Sequence, residues 1–138
     1  MAEQSFMKSL FHGVIAEELI SPWPQPEGAE REAVERLVSS IQRFGEGVDS
    51  AAIDRDRAIP PEVLRTLREL GVFGVTVPKE HGGLGLGRAA AARVVQELAS
   101  VDSSIGLTVG AHQSIGLDGL LWFGTEAQRR KYLPRLAS

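Results

Sequence analysis

The stretch Ser103-Ser104-Ile105-Gly106-Leu107-Thr108-Val109-Gly110-Ala111-His112-Gln113-Ser114-Ile115-Gly116-Leu117-Asp118-Gly119-Leu120-Leu121-Trp122-Phe123 decides the fold. It is apolar along most of its length, and Asp102, Ser103 and Ser104 at its start can accept hydrogen bonds from the free N–H groups of a helix start. A helix from Ser104 through Gly119 or beyond is therefore expected. His112, Gln113, Asp118 and four glycines interrupt the run from Ile105 to Phe123, which argues against a membrane span. A helix apolar on most faces needs neighbours all round, so the stretch predicts the buried helix of an all-α protein. Directly after it, Thr125 and Gln128 match a capping box, placing a basic helix from Glu126 to about Leu133, where Pro134 disturbs it.

Within the apolar helix Gly106 and Gly110 stand four apart and share a face. They leave a shallow trough beside Ile105, Leu107 and Val109, and Gln113 and Leu117 continue that face. Two readings of the trough remain open. Small residues let another helix approach closely; missing side chains also leave room for an apolar ligand chain.

Working outward, Val34, Leu37, Val38, Ile41 and Phe44 keep the spacing of one helix face, with Gly45 and Gly47 at the end. Asp49 to Ala58 reads as a charged connector. Pro60 and Pro61 open a second helix whose stripe is Val63, Leu64, Leu67 and Leu70, closed by Gly71. Val72 to Val77 has strand propensity, cut short by Gly74 and Pro78, and a glycine-rich loop follows from Lys79 to Gly87. A further helix runs from Gly87 or Arg88 to Ser100 with Val94, Val95 and Leu98 inward. At the amino terminus, Ser5 to Phe11 is a short amphipathic helix whose burial needs something beyond itself. Pro22, Pro24 and Pro26 then form an extended strap around Trp23 as its aromatic anchor. The sum is an all-α, orthogonal or up-down bundle of about four main helices plus short ones. Residues 1–27 are an amino-terminal helix and strap, and 28–138 the helical domain.

At 138 residues one domain is expected. A net charge of −3, with basic residues scattered, makes nucleic acid an unfavourable partner. The absence of cysteine removes disulfides, thiolate metal sites and Cys nucleophiles. Glu3, with one Lys in the first ten residues and no apolar h-region, predicts a cytoplasmic protein. His12, His81 and His112 are too dispersed for a metal site. His112 and Ser114 point to different helix faces, so His112 reads as a hydrogen-bonded buried histidine rather than a base. Gly85-x-Gly87-x-x-Ala90 matches a relaxed dinucleotide fingerprint, but Pro78 to Leu84 separates it from any strand, so a structural loop is the better reading.

Ile59-Pro60-Pro61-Glu62-Val63-Leu64, Leu70-Gly71-Val72-Phe73-Gly74-Val75 and Val77-Pro78-Lys79-Glu80-His81-Gly82-Gly83-Leu84-Gly85 together resemble the amino-terminal helical domain of acyl-CoA dehydrogenases. So does Ile105 to Ser138, with Ala111-His112-Gln113-Ser114-Ile115-Gly116 and Gly124-Thr125-Glu126-Ala127-Gln128 through Lys131-Tyr132-Leu133-Pro134. Ser5-Phe6, Leu10-Phe11, Gly13 and the strap near Trp23 are similar to the very-long-chain branch.

The resemblance implies an enzyme that binds FAD between this helical domain, a middle β-barrel and a carboxyl-terminal bundle. It implies α,β-dehydrogenation of an acyl-CoA thioester in fatty acid β-oxidation, with electrons passed to an electron-transferring flavoprotein. The family's catalytic glutamate and most FAD contacts have no matching position in these residues. No catalytic, cofactor-binding or metal residue is therefore assigned, and the chain alone is expected to lack FAD and activity. What transfers is the acyl-chain side: Gly106, Val109, Gly110, Gln113 and Leu117 are the candidate substrate-channel residues, and the two glycines would leave room for long chains. A truncated form, a gene fragment and a split subunit all fit, and the isolated chain is expected to form a homo-oligomer. The competing class is a non-catalytic helical interaction module that needs a partner chain, such as the missing domains.

Overall fold

The computed structural model describes residues 5–138; Glu3 lies outside them. The described residues are helical, in the order α1 (Phe6–Phe11), α2 (Gly28–Gly45), α3 (Ser50–Asp56), α4 (Pro61–Glu69), α5 (Arg88–Val101), α6 (Ser103–Ala111), α7 (Asp118–Phe123) and α8 (Glu126–Ala137). Short 3-10 turns lie at Glu17–Leu19, Val72–Gly74 and Lys79–His81, and a π-turn at His112–Gly116 joins α6 to α7. No helix among the described residues is long and apolar enough to cross a membrane.

The core grows from the stripes read in the sequence. Leu37 and Ile41 of α2, Leu67 of α4, Ala91, Val94 and Leu98 of α5, and Ile105 and Val109 of α6 are buried in one cluster with Ile53, Val72, Phe73 and Val75. Fully burying a Leu, Ile or Val is worth about 1.5–3 kcal/mol, so this cluster dominates the stability. Helix α5 packs against both α2 and α6 and forms the middle of the molecule. On its outer side Glu97 accepts from Gln42 Nε2 of α2 at 2.9 Å and pairs with Arg93 at 2.7 Å. The Arg93 contact first, then Gln42, hold the Glu97 carboxyl below its ordinary pKa. A second cluster, Val77, Leu117, Leu133 and Ala137, fastens α8 to the turn after α4.

The structure corrects several expectations. The connector Asp49–Ala58 contains helix α3: Asp49 Oδ1 accepts from Ala52 N at 2.9 Å as its cap, and Ile53 is buried. Charged residues around a single apolar side chain masked a two-turn helix. Val72 to Val77 is no strand; it begins as a 3-10 turn, and its carbonyls bond instead to the returning loop. Leu84 N donates to Gly74 O, Gly85 N to Val77 O and Leu86 N to Val75 O, each at 2.8 Å. Gly83 is required there, since a Cβ would lie 2.1 Å from Val77 O. Helix α8 continues through Pro134 to Ala137. Proline removes one N–H and crowds a carbonyl one turn back, but burial of Leu133 and Ala137 on either side keeps the turn helical. Trp23 does not anchor the strap: it is exposed, and Pro26 is the buried residue, its carbonyl accepting from Arg31 Nε at 3.1 Å.

Candidate functional site

The decisive stretch begins at a buried carboxylate. Asp102 Oδ1 accepts from Ser104 N at 2.8 Å and Ile105 N at 3.1 Å, capping α6, and its other oxygen accepts from Ser50 Oγ of α3. Burial pushes this carboxyl up, but the hydrogen bonds from Ser50, Ile105 and Ser104 together outweigh it and leave the pKa lowered. One side chain thus ties α3 to the α5–α6 corner and fixes where α6 starts.

Along α6 the two glycines face α5. A Cβ on Gly106 would lie 2.6 Å from both Cα and Cβ of Ala99, and one on Gly110 would lie 3.4 Å from Val95 Cγ1. The space left by Gly106 is therefore occupied by the α5 backbone, which is the helix-approach reading of the trough. Val109 and Leu117 are fully buried. Gln113, 4% exposed, spans two partners: its Nε2 donates to Val72 O at 2.7 Å and its Oε1 accepts from Thr76 Oγ1 at 3.0 Å. Of the five candidate channel residues only Gly110 reaches the border of the packed face.

The expected single helix from Ser104 through Gly119 is broken at its polar centre. His112 to Gly116 form a π-turn. Here His112 Nε2 donates to Leu136 O at 2.8 Å, Gln113 is held as described, and Ser114 Oγ donates to Gly110 O at 2.8 Å. These side chains reach partners on α8, on the turn after α4 and on their own helix, and they hold the backbone off the regular ladder. His112 is half-buried, with Phe73 edge-on at 5.2 Å. The histidine Nε2–H and the serine hydroxyl are thus both tied to carbonyls, which fixes the two side chains in place.

The opposite side of this segment is open. Leu107 is 73% exposed, Ile115 87%, Trp122 66% and Phe123 84%. Helix α7 buries no residue fully and is held by Leu120 and Leu121 against the second cluster, by the Arg88–Asp118 pair at 2.5 Å, and by Arg129 donating to Leu121 O at 2.8 Å. The Arg88 guanidinium also sits 5.8 Å from the centre of the Trp122 ring. Beside the open face, Ser104 and Thr108 share with Ile53, Asp54, Arg57 and Ile59 a shallow hollow of about 400 Å³.

In the glycine loop Gly87 N donates to the Glu30 carboxylate and Gly85 N to Val77 O, so two of its N–H groups are taken within the fold and Glu30 places a negative charge beside the start of α5.

The chain is similar to known proteins over nearly its whole length. Residues 30–138 match the family model for the acyl-CoA dehydrogenase N-terminal domain. The very long-chain specific acyl-CoA dehydrogenase, mitochondrial, of Macaca fascicularis is 42% identical over 137 residues, which are 98% of this chain and 21% of that protein. A Mycobacterium tuberculosis protein described as "Probable acyl-CoA dehydrogenase FadE10" is 41% identical over 135 residues, 97% of this chain and 21% of that protein. A chain of the solved structure described as "Electron transferring flavoprotein of Acidaminococcus fermentans" superimposes with a TM-score of 0.65 at 27% identity, covering 77% of this chain and 29% of that one. The chain thus spans about a fifth of the length of the curated relatives it matches. With its all-helical architecture and the family match over residues 30–138, this chain belongs to the acyl-CoA dehydrogenase family, as its N-terminal domain.

Proposed function

We propose that this chain acts as the amino-terminal part of an FAD-dependent acyl-CoA dehydrogenase that oxidises long-chain acyl-CoA in fatty acid β-oxidation, and that α6 supplies a wall of the acyl channel. The observation that carries this is the open apolar face of Leu107, Ile115, Trp122 and Phe123 on a chain one fifth the length of its relatives. Soluble domains rarely leave large contiguous apolar patches bare. Such a face suits an acyl chain together with the middle and carboxyl-terminal domains that the relatives' length implies.

In this reading the contribution of the chain is shape and the exclusion of water, as in other mostly apolar clefts. Asp102 fixes the start of α6, while Gly106, Val109, Gln113 and Leu117 hold it from behind. Leu107 and Ala111, one turn apart, would face the substrate, with Gly110 at the border. Small residues at the last two positions leave the channel deep, which supports long chains. The base, the flavin and the electron-transferring flavoprotein act through parts of the enzyme beyond these residues.

The test replaces the matching fifth of the Macaca fascicularis enzyme with this chain. The chimera should oxidise palmitoyl-CoA with an artificial electron acceptor, while this chain alone should purify colourless. Gly110→Glu or Ala111→Glu in the chimera should lower kcat/KM for palmitoyl-CoA far more than for butyryl-CoA. An unchanged ratio of the two would remove α6 from the channel wall.

A further inference from the structure

The outward side of α6 changes character along its length. At about 100° per residue, Ser104, Leu107, Thr108 and Ala111 share that side, and Ile115 extends it into the π-turn. The stretch nearest α7 is apolar, with Ile115, Ala111 and Leu107; the stretch nearest Asp102 is polar, with Thr108 and Ser104. At 1.5 Å per residue the distance from Ile115 to Ser104 is about 16 Å. The polar end borders the hollow of about 400 Å³ that Ser104 and Thr108 share with α3 and the residues after it.

Two charged side chains line that hollow without a mate. Asp54 lies on α3 and Arg57 stands at its end; both are exposed, and neither forms an ion pair among the described residues. Arg57 is also held in the left-handed region at φ 52°, which no other non-glycine residue among those described adopts. Glycine fills such a position at a helix end without steric cost, so a long cationic side chain is kept where the backbone favours none. The hollow thus holds a spare acceptor, the Asp54 carboxylate, and a spare donor, the Arg57 guanidinium. Thr108 Oγ1 donates to Ser104 O at 2.7 Å and keeps its lone pairs for a further bond, while the buried Ile53 adds an apolar contact.

We propose, resting on the channel reading above, that this hollow receives the far end of the acyl chain and selects long acyl-CoA substrates that end in a hydroxyl group. A hydroxyl both donates and accepts, so it can satisfy Asp54 and Arg57 at once. A terminal methyl would leave the two without a partner as water is excluded, which polar groups resist. A terminal carboxylate suits Arg57 but sets a like charge against Asp54. The phosphates of the CoA end would meet the same carboxylate, so the thioester lies toward α7. Short chains stop along the apolar part of the wall and do not reach the hollow.

The chimera described above tests this with three substrates: palmitoyl-CoA, ω-hydroxypalmitoyl-CoA and the ω-carboxy analogue. The hydroxylated chain should match or exceed palmitoyl-CoA in kcat/KM, whereas a hydroxyl buried without a partner would lose about tenfold or more. Arg57→Gly combined with Asp54→Ala should lower the ω-hydroxypalmitoyl to palmitoyl ratio about tenfold. Asp54→Ala alone should shift preference from the hydroxyl toward the carboxyl, because Arg57 is then unopposed. Because glycine accepts the left-handed backbone, Arg57→Gly should keep an undiminished Tm, which separates its effect from unfolding. An ω-hydroxypalmitoyl to palmitoyl ratio that the double variant leaves unchanged overturns the hollow, as does a wild-type preference for the ω-carboxy chain. In either case the channel reading survives if Ala111→Glu still penalises palmitoyl-CoA more than butyryl-CoA. If Ala111→Glu leaves that second ratio unchanged, α6 is no channel wall and both readings fall.

Discussion

Replacing Gly106 by alanine separates the two uses of the space beside it. An added Cβ would lie 2.6 Å from Cα and Cβ of Ala99 and 2.8 Å from its nitrogen, and these are backbone-anchored atoms of α5 that cannot rotate aside. Carbon pairs settle near 3.5–4.0 Å, so the two helices must part locally by about 1 Å, and a gap of that size forfeits roughly a quarter to a half of the dispersion well of each contact. The contacts at risk belong to Val94, Leu98, Ile105 and Val109, all fully buried. Overpacking of this kind costs about 1–3 kcal/mol, against a helix-propensity gain for Gly→Ala of about 1 kcal/mol. The balance is a net loss of up to about 2 kcal/mol. With a urea m-value of about 1–3 kcal/mol/M, a loss of about 1 kcal/mol lowers the midpoint by roughly 0.3–1 M.

Gly110→Ala is the matched control. Its Cβ would meet only the Val95 side chain, Cγ1 at 3.4 Å and Cγ2 at 4.0 Å, which are ordinary van der Waals distances. The propensity term of about 1 kcal/mol should then prevail, making this variant neutral or slightly more stable. Urea unfolding followed by circular dichroism reads both. If Gly106→Ala is as stable as Gly110→Ala or more so, the helix-approach account of Gly106 is wrong, and the space beside it is free for a ligand after all.

Three further perturbations follow from side-chain partners. Gln113→Ala strands the carbonyl of Val72 and the hydroxyl of Thr76, and should cost about 2–3 kcal/mol in chemical unfolding. Gln113→Glu should be no milder, because it turns a carboxylate oxygen toward the Val72 carbonyl. Asp102→Ala removes the cap of α6 and the tie to Ser50, costing about 2 kcal/mol near neutral pH. The folded pKa of Asp102 is lowered, so its stabilisation is complete above its unfolded value of about 3.9 and is lost as pH falls through the folded value. The difference in unfolding free energy between the wild type and Asp102→Ala should therefore shrink in an acid titration below about pH 4. Thr125→Ala breaks the capping box with Gln128 and should lower stability by about 1 kcal/mol, readable as a fall in Tm.

Much of this was legible where the cause was local. The capping box of α8, the prolines opening α4 and the stripe of α2 are short-range patterns, and each specifies its element almost alone. What escaped depended on partners distant in sequence. The strand propensity of Val72 to Val77 was overridden because the loop after Gly83 returns to take its carbonyls. The π-turn required knowing that Gln113 and His112 reach Val72 and Leu136, 41 and 24 residues away in sequence. A polar triplet, His112-Gln113-Ser114, inside an otherwise apolar helix was the available signal.

The candidate channel residues show why spacing alone could not choose a face. At about 100° per residue, Ile105, Val109 and Gly106 occupy one arc of α6, and all are buried. Leu107 and Ala111 fall on the far side, and Gly110 lies at the edge between. Spacing establishes that Gly106 and Gly110 are neighbours but not which neighbour fills the space beside them, and α5 fills it at Gly106. The glycine pair and the open wall are thus coupled: close approach to α5 holds α6 with Leu107 and Ala111 turned outward. A change on the outward side can then be made at Ala111 without disturbing the packed side, whereas added atoms at Gly110 meet Val95 of α5 and those at Gly106 meet Ala99.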